Sequence, residues 1–134
     1  MADGRAMNLL LDTCALLWLA AGDPRLSKAA KQAIERSAVV FVSVMSGFEI
    51  ALKHRRGKLY LPAEPEDWLT RIVLHHNLEV LALELDDAVR AATLPDIHRD
   101  PCDRFIIAAA LRLGLPVVTI DPVFREYGVR VIGE

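Results

Sequence analysis

The sequence holds only two cysteines, Cys14 and Cys102, in 134 residues. Two are too few for the disulfide framework of a small secreted domain. No apolar run approaches the roughly 18 residues that would span a membrane. The opening MADGRAMNLLLD lacks a long apolar segment followed by a small-residue cleavage site, so it is not a signal peptide. A reducing cytoplasm is the expected compartment. Surplus charge is missing too: 16 Lys and Arg against 18 Asp and Glu leave a formal −2. That excludes a polybasic nucleic-acid binder held by bulk positive charge. It does not exclude an enzyme that recruits a cation to meet a phosphate. Internal repeats, low-complexity tracts and linkers are absent as well.

What is present is an ordinary globular composition, 53% hydrophobic and 25% charged. The length suits one domain with a real core, burying about 65% of its unfolded surface. Residues 1–6 are expected to be a leader or upstream start, with a single domain over 7–134. The strongest local signal is Asp100-Pro101-Cys102-Asp103-Arg104 followed by the apolar run Phe105 to Leu113. Asp100 suits a helix N-cap and Pro101 the first helical position. The run behind them is apolar on nearly every face, which predicts a buried helix that Gly114 ends.

Before it, Asn8 to Leu11 reads as a buried strand stopped at Asp12-Thr13, and Cys14 to Ala21 as an apolar helix. Leu26 to Arg36 is a second helix, with Ser27 as its cap. Ala38 to Ser43 is a second strand. Ser46-Gly47-Phe48-Glu49 fits a capping box opening a helix through about Lys58. Glu66 to His76 is helical, Leu78 to Leu81 a more exposed strand, and Asp86 caps a short helix to Leu94. Pro116 to Ile120 is a fourth strand ending at Asp121, and Val129 to Ile132 a fifth. Strands alternating with helices predict an α/β fold with three layers, α/β/α, around a parallel sheet of about five strands. In such folds chemistry sits beyond the C-terminal strand ends.

Four acids share that address. Asp12 ends the first strand, Asp121 ends the fourth, Glu49 is expected in the first turn after the second, and Asp103 opens the central helix. Each also has a plain structural use. Asp12 and Asp121 suit helix caps, Glu49 suits a capping box or an i,i+4 pair with Lys53, and Asp103 matches a helix dipole. Caps explain why an acid suits each position, not why the acids would converge. Two carboxylates at about 4 Å repel by roughly 4 kcal/mol at an effective dielectric near 20. Four could not all stay ionised without raised pKa values or a counter-cation. Oxygen ligands without paired soft partners favour Mg²⁺ or Mn²⁺ over zinc.

The segments LLLDTCALLW, SVMSGFEIALKHRRGKL, HRDPCDRFIIAAA and VVTIDPVFREYGV together resemble the signatures of PIN-domain proteins. They are most similar to the VapC-like toxins of bacterial type II toxin–antitoxin pairs. The resemblance runs from about Met7 to Ile132. It implies a Mg²⁺-dependent endoribonuclease, with Mn²⁺ as a substitute, a VapB-like antitoxin partner and a homodimer. Asp12, Glu49, Asp103 and Asp121 match the family's four acids in order. The resemblance implies Asp12 and Asp103 as the metal contacts. Two neighbours depart from the pattern: Phe48 stands where Trp is common, and Cys102 where Phe is common.

Other residues carry open readings. Lys53 to Lys58 is a basic run that suits either a solvated helix face or phosphate steering. Arg104 could hold a neighbouring carboxylate bidentately. His98 is expected to fix a loop, both thiols to be buried, and Trp18 and Trp68 to fill the core. Thr13 and Thr119 have turn and strand-end roles, and could also orient acids or waters. A PIN-fold RNA-processing nuclease that is not a toxin remains an alternative. A catalytically silent subunit on the same fold is disfavoured by the presence of all four acids. A receiver-like phospho-aspartate module would need Asp after the third strand and Lys after the fifth, where Leu81 and Ile132 stand. A haloacid-dehalogenase-type phosphatase would need Asp-x-Asp where Asp12-Thr13-Cys14 stands, and a dinucleotide-binding domain would need a Gly-rich turn.

Overall fold

A computed structural model describes residues 7–133. The expected leader, residues 1–6, lies outside the described residues. Five strands, β1 (Leu9–Leu11), β2 (Val40–Ser43), β3 (Leu78–Leu81), β4 (Val117–Val118) and β5 (Val131–Ile132), form one sheet in the order β3-β2-β1-β4-β5. Every strand pair is parallel. β1 lies at the centre, and its three leucines have no exposed surface. An unbroken apolar run is what a strand covered on both faces requires.

Alternation along β1 builds both halves of the core. Leu9 and Leu11 pack with Ala15, Leu16, Val42, Ile50 and Trp68 on one face. Leu10 packs with Ile106, Ile107, Ala110, Val117 and Phe124 on the other. The two faces are covered by helices, giving the expected three layers. α1 (Thr13–Ala21), α2 (Lys28–Arg36), α3 (Val44–Arg55) and α4 (Pro65–His75) supply the first layer. α6 (Pro101–Leu113) and the short α7 (Val123–Glu126) supply the other, with α5 (Leu85–Thr93) packed on α6. Trp18 and Trp68 lie in the core as expected.

α6 is buried from Ile106 to Ala110 and bears the expected signals at both ends. Asp100 Oδ1 accepts the N–H groups of Cys102 and Asp103, and Gly114 closes the helix at φ 65°, a left-handed conformation that glycine adopts without strain. α5 and α6 are joined by a clamp. Asp87, 1% exposed, receives Arg112 Nε at 2.7 Å and Nη2 at 3.1 Å, together with the Glu84 N–H.

Two caps differ from expectation. α3 begins at Val44, because β2 runs into it with no loop and Ser43 Oγ accepts the Met45 N–H at 3.0 Å. Ser46 is therefore inside the helix. Its hydroxyl shares a hydrogen bond with that of Thr13 at 2.9 Å. Glu49 consequently lies in the second turn, not the first. α5 starts two residues early, with Glu84 at its N-cap in place of Asp86. Among the described residues no helix is long and apolar enough to cross a membrane.

The chain leaves β1 toward β2 and β3, then returns to the opposite side of β1 to form β4 and β5. The crevice beyond the C-terminal ends of β1 and β4 is thus a topological switch point. It opens where Asp12 and Asp121 leave their strands.

Candidate active site

Asp12 is fixed at this crevice by its backbone and by its carboxylate. Its N–H donates to the Val118 carbonyl at 3.1 Å, which ties the end of β1 to β4. Its Oδ1 accepts the Ala15 N–H at 2.8 Å, which caps α1. The Thr119 hydroxyl also hydrogen-bonds the carboxylate, and accepts the Asp121 N–H at 3.0 Å. Burial raises the Asp12 pKa. The Thr119 and Ala15 bonds oppose the rise, and the charges of Asp121 and Glu49 add to it.

Asp103 projects from the first turn of α6. Its pKa is raised to about 7, first by burial and then by Asp100, with Asp12 and Glu49 adding and His98 opposing. Asp121 Oδ1 accepts the Val123 N–H at 3.0 Å. Its Oδ2 lies 3.0 Å from His98 Nε2, and Asp103 Oδ2 lies 3.0 Å from the same nitrogen. Among the described residues, His98, Asp103 and Asp121 are the group whose ligand atoms all fall within 4.8 Å of one another.

Glu49 enters from α3. Its Oε2 receives Lys53 Nζ at 2.9 Å, the i,i+4 pair that the spacing allowed. Its Oε1 is buried and has no hydrogen-bond partner among the described residues. A buried carboxylate oxygen without a donor is costly unless something positive completes it. Glu49 shares its field with Asp12 and Asp103, raising the pKa of both.

The four acids singled out from the sequence therefore act on one another at one crevice, though not as a single tight cluster. Asp103 and Asp121 meet at His98. Asp12 and Glu49 stand outside that close group and act on it through charge. The capping role of Asp12 is real as well, so its structural and functional readings coexist, whereas Asp121 lies one residue before the Pro122 cap of α7 and is not the N-cap expected for it. The donor set fits a hard divalent cation: carboxylate oxygens, an excess of negative charge and one orphaned oxygen.

His98 does more than fix a loop, and only its position two residues before the Asp100 cap hinted at this. Arg104 does not hold a carboxylate. Its guanidinium donates to the carbonyls of Ala91, Leu94, Pro95 and His98, because the end of α5 and the turn after it bring those oxygens to it. Cys102 is buried, and burial pushes its thiol up to about 11. Cys14 is exposed, contrary to expectation, since it sits on the outer side of α1's first turn.

A family model described as PIN domain matches residues 9–129. The chain is 32% identical to Ribonuclease VapC22 of Mycobacterium tuberculosis over 121 residues, covering 90% of this chain and 92% of that protein. Solved structures agree on the fold. A chain of the Rickettsia felis VapBC2 complex bound to a promoter DNA fragment superposes with a TM-score of 0.68 at 12% identity, covering 93% of this chain and 97% of that one. The Mycobacterium tuberculosis toxin VapC20, which cleaves the sarcin–ricin loop, gives 0.66 at 21% identity, covering 90% and 95%. Matched from its first strand to just before its last, this chain belongs to the PIN domain family, among its VapC-like members.

Proposed function

We propose that the protein is a Mg²⁺-dependent endoribonuclease, with Mn²⁺ able to substitute, and the toxin of a type II toxin–antitoxin pair. The observation that carries this reading is the uncompensated negative charge at the β1–β4 crevice. A carboxyl raised to about 7 at Asp103 and an orphaned oxygen on Glu49 both call for a cation. A 32% identical relative named as a ribonuclease supports RNA as the substrate, and neighbours solved as VapBC complexes support a VapB-like antitoxin as the partner. A cytoplasmic site of action is part of the same reading.

Asp12 and Asp103 are the proposed metal ligands, with Asp121 beside Asp103 and Glu49 completing the anionic wall. A divalent cation held there supplies charge to the scissile phosphate and acidity to the attacking water. The protein's own part is orientation. The α1 cap and Thr119 hold Asp12 in one rotamer, and Thr119 couples it to Asp121 through the Asp121 N–H. Lys53 neutralises only one oxygen of Glu49, leaving the other free to accept from a water or receive a cation. An ionised Asp121 or Glu49 can take a proton from water directed at the phosphate.

The test is RNA cleavage by the wild type and by Asp12→Asn, in Mg²⁺ and in EDTA. Cleavage that needs Mg²⁺ and falls at least 100-fold in the variant supports the reading; equal activity in both refutes it. Growth arrest on expression, relieved by co-expression of a VapB-like antitoxin, tests the toxin assignment separately.

A further inference from the structure

His98 is held at both backbone ends. Its N–H donates to the Tyr127 hydroxyl at 2.7 Å and its carbonyl accepts Arg104 Nη1 at 3.0 Å. The same hydroxyl accepts the Ile97 N–H and donates to the Pro95 carbonyl. The turn from α5 to α6 therefore cannot swing the ring elsewhere without breaking this network.

The ring itself is also fixed. Its Nδ1 accepts the Asp100 N–H at 3.1 Å. A backbone N–H can only donate, so Nδ1 carries its lone pair and no proton. With Nδ1 bare, the ring bears its hydrogen on Nε2. That nitrogen lies 3.0 Å from Asp103 Oδ2 and 3.0 Å from Asp121 Oδ2. A protonated ring nitrogen has no lone pair to give a metal.

We infer that His98 is a positioning residue and not a metal ligand. Its Nε2–H bridges Asp103 of α6 and Asp121 of the turn after β4, and so sets their spacing for the cation. The inference rests on the cation-site reading above. Two carboxylates on separate elements repel, and a shared N–H holds them together when no cation is present. Hydrogen bonds to ligating carboxylates from outside the ligand set commonly carry 10- to 100-fold in metal affinity.

The test uses the full chain labelled with ¹⁵N-histidine. Ring nitrogen shifts of His98 are read by NMR in EDTA and in saturating Mg²⁺. The Nε2–H form is expected in both. Mg²⁺ affinity is then measured by calorimetry for the wild type, His98→Ala and His98→Gln. Alanine should weaken binding by about 10- to 100-fold. Glutamine, which keeps an N–H donor without an imidazole, should recover most of that loss. A wild type that binds Mg²⁺ but carries its proton on Nδ1, or loses the Nε2 proton when Mg²⁺ is added, overturns this inference alone. A wild type that binds no Mg²⁺ overturns the cation-site reading together with it.

Discussion

Replacing Asp103 by Asn should stabilise the metal-free protein at neutral pH while destroying its response to cations. The Asp103 carboxyl has a folded-state pKa of about 7 against an ordinary 3.8, chiefly because of burial and the charge of Asp100. The folded value lies above the unfolded one. Stability from this group is therefore full below about pH 4 and is lost as the pH rises through about 7. Roughly three pH units at about 1.36 kcal/mol each set a ceiling of about 4 kcal/mol on the loss. The side chain is 21% exposed, so water reduces that figure without abolishing it. Even about 1 kcal/mol would move the melting temperature of a domain this size by about 3 to 4 °C. The assay is thermal unfolding of wild type and Asp103→Asn in EDTA from pH 3.5 to 8.5. The difference should be near zero at the acid end and grow in the variant's favour toward pH 8. Adding Mg²⁺ at pH 8 should raise the wild-type melting temperature and leave the variant unchanged. A variant no more stable than wild type at pH 8 in EDTA would refute the claim that charge is uncompensated here.

Three further outcomes follow from named contacts. Arg112→Ala strands the buried Asp87 carboxylate and should cost about 3 to 5 kcal/mol in urea unfolding, whereas Asp87→Leu with Arg112→Met should recover most of it. Lys53→Met removes the one cation bonded to Glu49 among the described residues, so the protein should melt lower in EDTA and gain more from Mg²⁺ than wild type does. Its gain falling below the wild-type value would count against an anionic cation site. Iodoacetamide at pH 8 should alkylate exposed Cys14 well before Cys102, which is buried and has its thiol raised to about 11, as mass spectrometry of tryptic peptides would report.

Much of this was readable along the chain because it depends on near neighbours. Asp100, Pro101 and Gly114 bound α6 through contacts within four residues, and an unbroken Leu9-Leu10-Leu11 stopped at Asp12-Thr13 reads as a strand covered on both faces. Asp12 and Asp121 were legible as strand-end acids for the same reason. The start of α3 was not. Ser43 and Ser46 are both good caps, and the choice fell to Ser43 because β2 keeps its pairing with β3 up to Ser43 opposite Leu81.

The sequence by itself determined the element types, the three-layer parallel architecture and the identity of the acids, since periodicity and capping are local properties. The tertiary structure alone decided the strand order that sets β4 beside β1. It also decided that Arg104 serves carbonyls and that the His98 ring reaches both Asp103 and Asp121. The direction of a side chain on a turn is set by partners far along the chain. Here the Tyr127 hydroxyl, 29 residues away, anchors the His98 backbone, and Asp121, 23 residues away, meets its ring.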